Sequence, residues 1–116
     1  DQGEDVGRFT TIAIDDNQTL HVFYRDNDRG VLKYARGTQA AGGYTFDIQD
    51  VDAEGETGYW ASAVHLDGRI HVVWATKSVP AGAGFETRLH HMAYDAPGSF
   101  EDPTATRESG AAASLA

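Results

Sequence analysis

The chain has 116 residues, 41% of them hydrophobic, with two Trp, five Tyr, five Phe and thirteen Gly; that is enough apolar material to fold and too much for a disordered segment. A formal charge of -9 excludes sequence-independent nucleic-acid binding and docking on an anionic membrane, since both need a cationic surface. With no cysteine, disulfides, zinc–thiolate sites and thiol catalysis are excluded, and no run of 18 apolar residues offers a membrane span.

No signal peptide is visible, and the opening at Asp1-Gln2-Gly3-Glu4 is compatible with a leader already removed. Val6-Gly7 leads into a predicted first strand over residues 9–14, where the run Ile12-Ala13-Ile14 reads as a strand covered on both faces. Asp15-Asp16-Asn17-Gln18 is a turn, because Asp and Asn side chains bond their own backbone and tolerate left-handed conformations. Residues 20–24 form a second strand, with Leu20, Val22 and Tyr24 on one face and His21 and Phe23 on the other. After the turn Asp26-Asn27-Asp28-Arg29-Gly30 come a third strand over 31–36, a loop over 37–43, and an alternating fourth strand over 44–51.

The same order then returns. Strands are expected over 60–66 and 70–74, joined by Asp67-Gly68, the strongest hairpin dipeptide in the chain, and a third over 89–94. The connection over 75–87 is longer than its counterpart and reads as an inserted loop. A fourth strand is expected near Phe100, and Pro103 marks this segment as an outer edge because it cannot donate to a ladder.

The echo is specific. Gly7…Thr11-Ile12-Ala13, Gly58…Ser62-Ala63-Val64 and Gly110…Ser114-Leu115-Ala116 repeat one pattern, at separations of 51 and 52 residues (58 minus 7, 110 minus 58). Four short antiparallel strands at such a period are the mark of propeller blades. An immunoglobulin-like sandwich would explain the strand count but not the echo. The expected fold is therefore all-β: a β-propeller segment of two four-stranded antiparallel blades, residues 1–51 and 52–103, with residues 104–116 beginning a third blade through its innermost strand. Two blades do not close a ring, which needs about four to eight; the remaining blades would come from a longer chain or from further copies.

Further residues carry a resemblance. Val51-Asp52…Gly58, Thr11-Ile12-Ala13-Ile14-Asp15, His21…Tyr24 and Leu32-Lys33-Tyr34-Ala35 resemble the repeat of a family of bacterial secreted or cell-surface propellers. In the second copy Leu66 stands at the Asp position, Trp74 replaces the tyrosine, and His90-His91-Met92-Ala93 replaces Leu-x-Tyr-Ala. The resemblance implies a propeller and an extracytoplasmic setting. It does not imply one activity, since such repeats occur in lectins, adhesion modules and enzymes.

Positions that recur read as architecture and those that differ are free for function. His21 and His71 recur as histidines bonded to a neighbouring turn, and truncating either is expected to cost about 1–3 kcal/mol. Tyr24 and Trp74 recur as packing aromatics, as do Phe9 and Trp60. His90 and His91 point to opposite faces of a strand and cannot chelate one ion together. Asp26-Asn27-Asp28-Arg29-Gly30 opens like a calcium loop, but the twelfth position is Gly37 where a bidentate Glu is required; no cofactor is expected, and calcium has only this partial motif behind it. No nucleophile elbow, HExxH or phosphate loop is present. The inserted loop is the best candidate for ligand contact, with Lys77, Phe85 and Arg88, and with Tyr59 on the neighbouring connection. A stacking aromatic beside a cation suits a sugar or a peptide. The expected function is a non-catalytic binding or adhesion module recognising a glycan or a protein surface. A fragment of a glycan-active hydrolase or lyase, and a structural subunit of a surface assembly, are the alternatives.

Overall fold

The structure, a computed structural model, describes residues 5–81, 84–96, 98, 101 and 105–111. It is all-β, with no helix among the described residues. The first sheet is a meander of β1 (Val6–Ile14), β2 (Leu20–Asp26), β3 (Val31–Ala40) and β4 (Gly43–Asp52), in spatial order β1-β2-β3-β4. The second repeats it with β5 (Glu56–Leu66), β6 (Arg69–Ala81), β7 (Gly84–Asp95) and β8 (Thr106–Ala111), in order β5-β6-β7-β8. Every neighbouring pair is antiparallel.

The turns follow from local chemistry. Asp15 Oδ1 accepts from the backbone N–H of Asn17 at 2.8 Å and of Thr19 at 3.0 Å, and Gln18 takes the left-handed conformation this tight return needs. In the second sheet Asp67 and Gly68 both have positive φ, 52° and 75°, the geometry of a two-residue turn matched to strand twist. The 26–30 segment is likewise a turn: the Gly30 N–H donates to the Asp26 carbonyl at 2.9 Å and the Arg29 N–H to its carboxylate at 3.1 Å.

One apolar layer lies between the sheets. Ala13, Phe23, Leu32 and Tyr34 from the first, with Val51, meet Ile70, Val72, Trp74, Met92 and Tyr94 from the second, flanked by Ala61 and Ala63. The Ala63 N–H donates across the junction to Thr11 Oγ1 at 3.1 Å.

Four expectations need correction. The segment over 75–87 is not a loop: β6 and β7 run on as a ribbon, pairing Val79 with Glu86 and Ala81 with Gly84. Most of that insertion therefore spends its backbone hydrogen bonds in a ladder. The 37–43 loop shrinks to a turn, because β3 extends to Ala40. The fourth strand of the second sheet is Thr106–Ala111, paired with β7, in residues expected to open a third unit; Phe100, near which a fourth strand is expected from sequence, lies outside the described residues. The run Ile12-Ala13-Ile14 is covered on one face only: Ala13 is 6% exposed, but Ile12 and Ile14 are 53% and 49% exposed. The expected opening strand of a third unit, residues 112–116, lies outside the described residues.

Candidate functional site

The first strand of each sheet carries the same backbone irregularity. Gly7 and Gly58 sit at φ 93° and 85°, and two residues later Phe9 and Trp60 both sit at φ 52°. Register breaks on both sides of Arg8 in β1 and of Tyr59 in β5. Positive φ is open to glycine, but for a bulky aromatic it is an uncommon conformation that surrounding structure must hold. Its consequence is to turn each aromatic out of the ladder. Phe9 is 37% exposed and Trp60 51%, so the pair is not the buried packing expected from its recurrence.

Because the sheets stack through β1 and β5, the two bulges come together. Phe9 lies 5.7 Å from Tyr59 and 6.0 Å from Trp60, ring centre to ring centre, and Tyr59 lies 5.6 Å from Trp60. Two cations attend this trio. The Arg25 guanidinium is 4.2 Å from the Tyr59 ring centre, and Lys77 Nζ is 4.5 Å from the centres of both Tyr59 and Trp60. Glu56, which pairs with Lys77 across the ladder, accepts from Arg25 and, at 3.3 Å, from the Tyr59 hydroxyl. The buried Arg25 stem, its side chain 1% exposed, anchors the patch from below. The result is an aromatic surface edged by hydrogen-bonding charges of both signs.

Of the residues expected to bind, Tyr59 and Lys77 are thus brought into contact. Arg88 lies opposite Thr76 on the ribbon, and its Nε donates to Glu86 at 2.7 Å. The Phe85 side chain lies outside the described residues. Phe9, Trp60, Arg25 and Glu56 were not legible as site residues. The available signal was the recurring Gly-x-aromatic triplet, which encodes the bulge.

The recurring histidines part company. His21 is fully buried between the sheets. Its Nε2 meets Asp15 Oδ2 at 2.9 Å, and its Nδ1 faces the Tyr34 and Tyr94 hydroxyls at 2.8 and 2.9 Å. Burial lowers the His21 pKa below its usual 6.5 and outweighs the hydrogen bond and charge of Asp15, so the ring is neutral. As the carboxylate only accepts, Nε2 carries the proton. Burial pushes the Asp15 carboxyl up, but its bonds from His21, Thr19 and Asn17 win and its pKa falls below 3.8. Burial also raises the Tyr94 hydroxyl far above its usual range. His71, by contrast, is half-buried and stacks on His91 at 5.4 Å, with Nδ1 and Nε2 3.2 Å apart. Its turn has Leu66 where Asp15 stands in the first copy.

Tyr24 and Trp74 are both buried, at 8% and 3% exposure. The Trp74 indole donates to Asp52 Oδ2 at 2.9 Å and stacks on His90, which bonds Thr76 Oγ1 at 2.7 Å.

No protein-family model, curated protein or solved structure matches the chain. No helix among the described residues is long and apolar enough to cross a membrane.

Proposed function

We propose that the two sheets are neighbouring blades of an extracytoplasmic β-propeller whose role is non-catalytic binding, with a glycan as ligand and the Phe9–Tyr59–Trp60 patch as its seat. The observation that carries this reading is the pair of half-exposed aromatics, Phe9 and Trp60, each held at φ 52°. A backbone conformation that costs about 1–3 kcal/mol is retained where function uses it, and here it keeps apolar rings at the surface. The C–H face of a pyranose stacks on such rings, while its hydroxyls need donors and acceptors at the rim. Lys77 and Glu56 supply both at the rim, with the buried Arg25 holding Glu56 from beneath. Few convergent polar groups around an apolar seat is the usual composition of a small-ligand site.

The test is isothermal titration with a panel of neutral oligosaccharides, alongside a search for cleavage products. Binding without product is expected. Trp60→Ala and Phe9→Ala should each weaken it by about tenfold or more while leaving the thermal midpoint within a few degrees. Binding that survives both substitutions, or a panel in which no glycan binds, overturns the reading.

A further inference from the structure

Residues directly opposite one another on antiparallel strands share a face, so the ladders sort the exposed apolar side chains. Apart from Phe9 and Trp60, the large ones among the described residues fall on two surfaces. Ile12, Ile14, Tyr44, Phe46 and Ile48 stand on the outward face of the first sheet, and Val64, Leu66, Val73 and Leu89 on the outward face of the second.

The repeat assigns a meaning to each surface. The first sheet buries Ala13, Phe23 and Leu32 against the second, at 6%, 0% and 0% exposure. By ladder position their counterparts in the second sheet are Val64, Val73 and Leu89: Ala13 opposes His21 as Val64 opposes His71, Thr11 opposes Phe23 as Ser62 opposes Val73, and Arg25 opposes Leu32 as Ala75 opposes Leu89, so that Leu32–Ala35 match Leu89–Met92, one residue before the match expected from sequence. These counterparts are 52%, 44% and 43% exposed. On the other half, Ala63, Val72 and Met92, packed on the first sheet, correspond to Ile12, Val22 and Ala35; Ala35 is already buried at 7% and Val22 partly so, but Ile12 is 53% exposed on the face that also holds the exposed Phe46 and Ile48.

A seat is open as well. The second sheet's outward face has a cavity of about 440 Å³ lined by Tyr59, Trp60, Val73, Trp74, Ala75 and Leu89. In the first sheet the matching position is filled by Gly58, where an added Cβ would come within 3.2 Å of Leu32 Cα and 3.3 Å of Arg25 Cγ. Gly7, the counterpart of Gly58 and also at positive φ, has nothing within 4 Å of the same point.

From this equivalence we infer that the two outward faces are the complementary halves of one interface, and that each is covered by a second copy of this chain packed head to tail. The second sheet of one copy receives the first sheet of the next as it would receive its own repeat, with Gly7 seated over Ala75 and Leu89. The interface is heterologous, so copies add in sequence until the rotation closes a ring. Exposed apolar faces of this extent are what such an interface replaces. Tyr59 and Trp60 line that cavity as well as the aromatic patch; Phe9 keeps 37% of its surface with the second sheet packed beside it, and by the same equivalence Trp60 keeps an open edge when the next copy packs beside it. The inference rests on the repeated sheets and not on glycan binding; association and ligand titration fail separately.

The experiment is sedimentation of the intact chain over a range of concentrations, with one face disabled at a time. Wild type should form defined multimers. Val73→Glu disables the second sheet's face and Ile12→Glu the first's; both residues are about half exposed, so the fold tolerates them, and circular dichroism checks this. Each variant alone should be monomeric, with association weakened by about a hundredfold or more because an unpaired carboxylate would be buried. Mixed in equal amounts, they should form a one-to-one dimer and nothing larger, since one intact pair of faces remains. Leu89→Glu and Phe46→Glu form a second pair should either first variant misfold. A monomeric wild type, a single variant that still multimerises fully, or a mixture that stays monomeric overturns the inference.

Discussion

His21→Ala and His71→Ala occupy the same place in the repeat and should have very different costs. Removing the His21 ring deletes a hydrogen bond to a buried carboxylate, worth about 1.5–3 kcal/mol. It also takes from the Tyr34 and Tyr94 hydroxyls the nitrogen they face at 2.8 and 2.9 Å, leaving them bonded to each other. That lost neutral hydrogen bond is worth about 0.5–1.5 kcal/mol more, and water entering the vacated space recovers part of this. The expected loss is about 3 kcal/mol, or a fall of about 12 °C in thermal midpoint at roughly 4 °C per kcal/mol for a chain of this size. His71 is half-buried and its side-chain hydrogen-bonding partner among the described residues is His91, at 3.2 Å; its truncation should cost under about 1 kcal/mol. Urea denaturation followed by tryptophan fluorescence reads both. Equal losses for the two variants, or a loss under about 1 kcal/mol for His21→Ala, would refute the assignment of the Asp15–His21–Tyr34–Tyr94 network as the clasp between the sheets.

The same network makes the fold acid-sensitive. The His21 pKa is lowered from 6.5, so its contribution is complete above that unfolded value and is lost as pH falls through the lower folded one. Asp15, lowered from 3.8, adds a second loss at still lower pH with the same sign. Denaturant midpoints measured between pH 8 and 4 should therefore fall below about pH 6.5, and that first step should shrink in His21→Gln, with His90, also lowered by burial, supplying what is left; a flat profile in the wild type contradicts this. Gly58→Ala should cost more than Gly7→Ala. Both pay about 1 kcal/mol for a positive φ, but the new methyl at position 58 also presses on Leu32 Cα at 3.2 Å, adding about 1–3 kcal/mol. Equal midpoints for the two would show that the sheets can part to admit it.

The strand order, the turns and the repeat were legible because each is set locally. Alternation, Asp67-Gly68 and the Asp15-Asp16-Asn17 run act over a few residues, and the echo of Gly7…Thr11 at Gly58…Ser62 needs no structure to be seen. The 75–87 ribbon reads as a loop because Pro80 is followed by four alternating alanines and glycines, and only the register of its two arms shows otherwise. What recurred in sequence did not recur in environment. His21 and His71, Phe23 and Val73, Leu32 and Leu89 are the same positions on two sheets, and one member of each pair is buried because the other sheet lies over it. Tyr59 and Lys77 were named from the chain, yet Phe9 and Trp60 became site residues only when two left-handed bulges, 51 residues apart, were laid side by side. Local chemistry therefore determined which strands form and where the chain turns. Which apolar faces are covered, and which aromatics reach the surface, was decided by the stacking of the sheets, because burial belongs to a residue's neighbours in space and not to its neighbours in sequence.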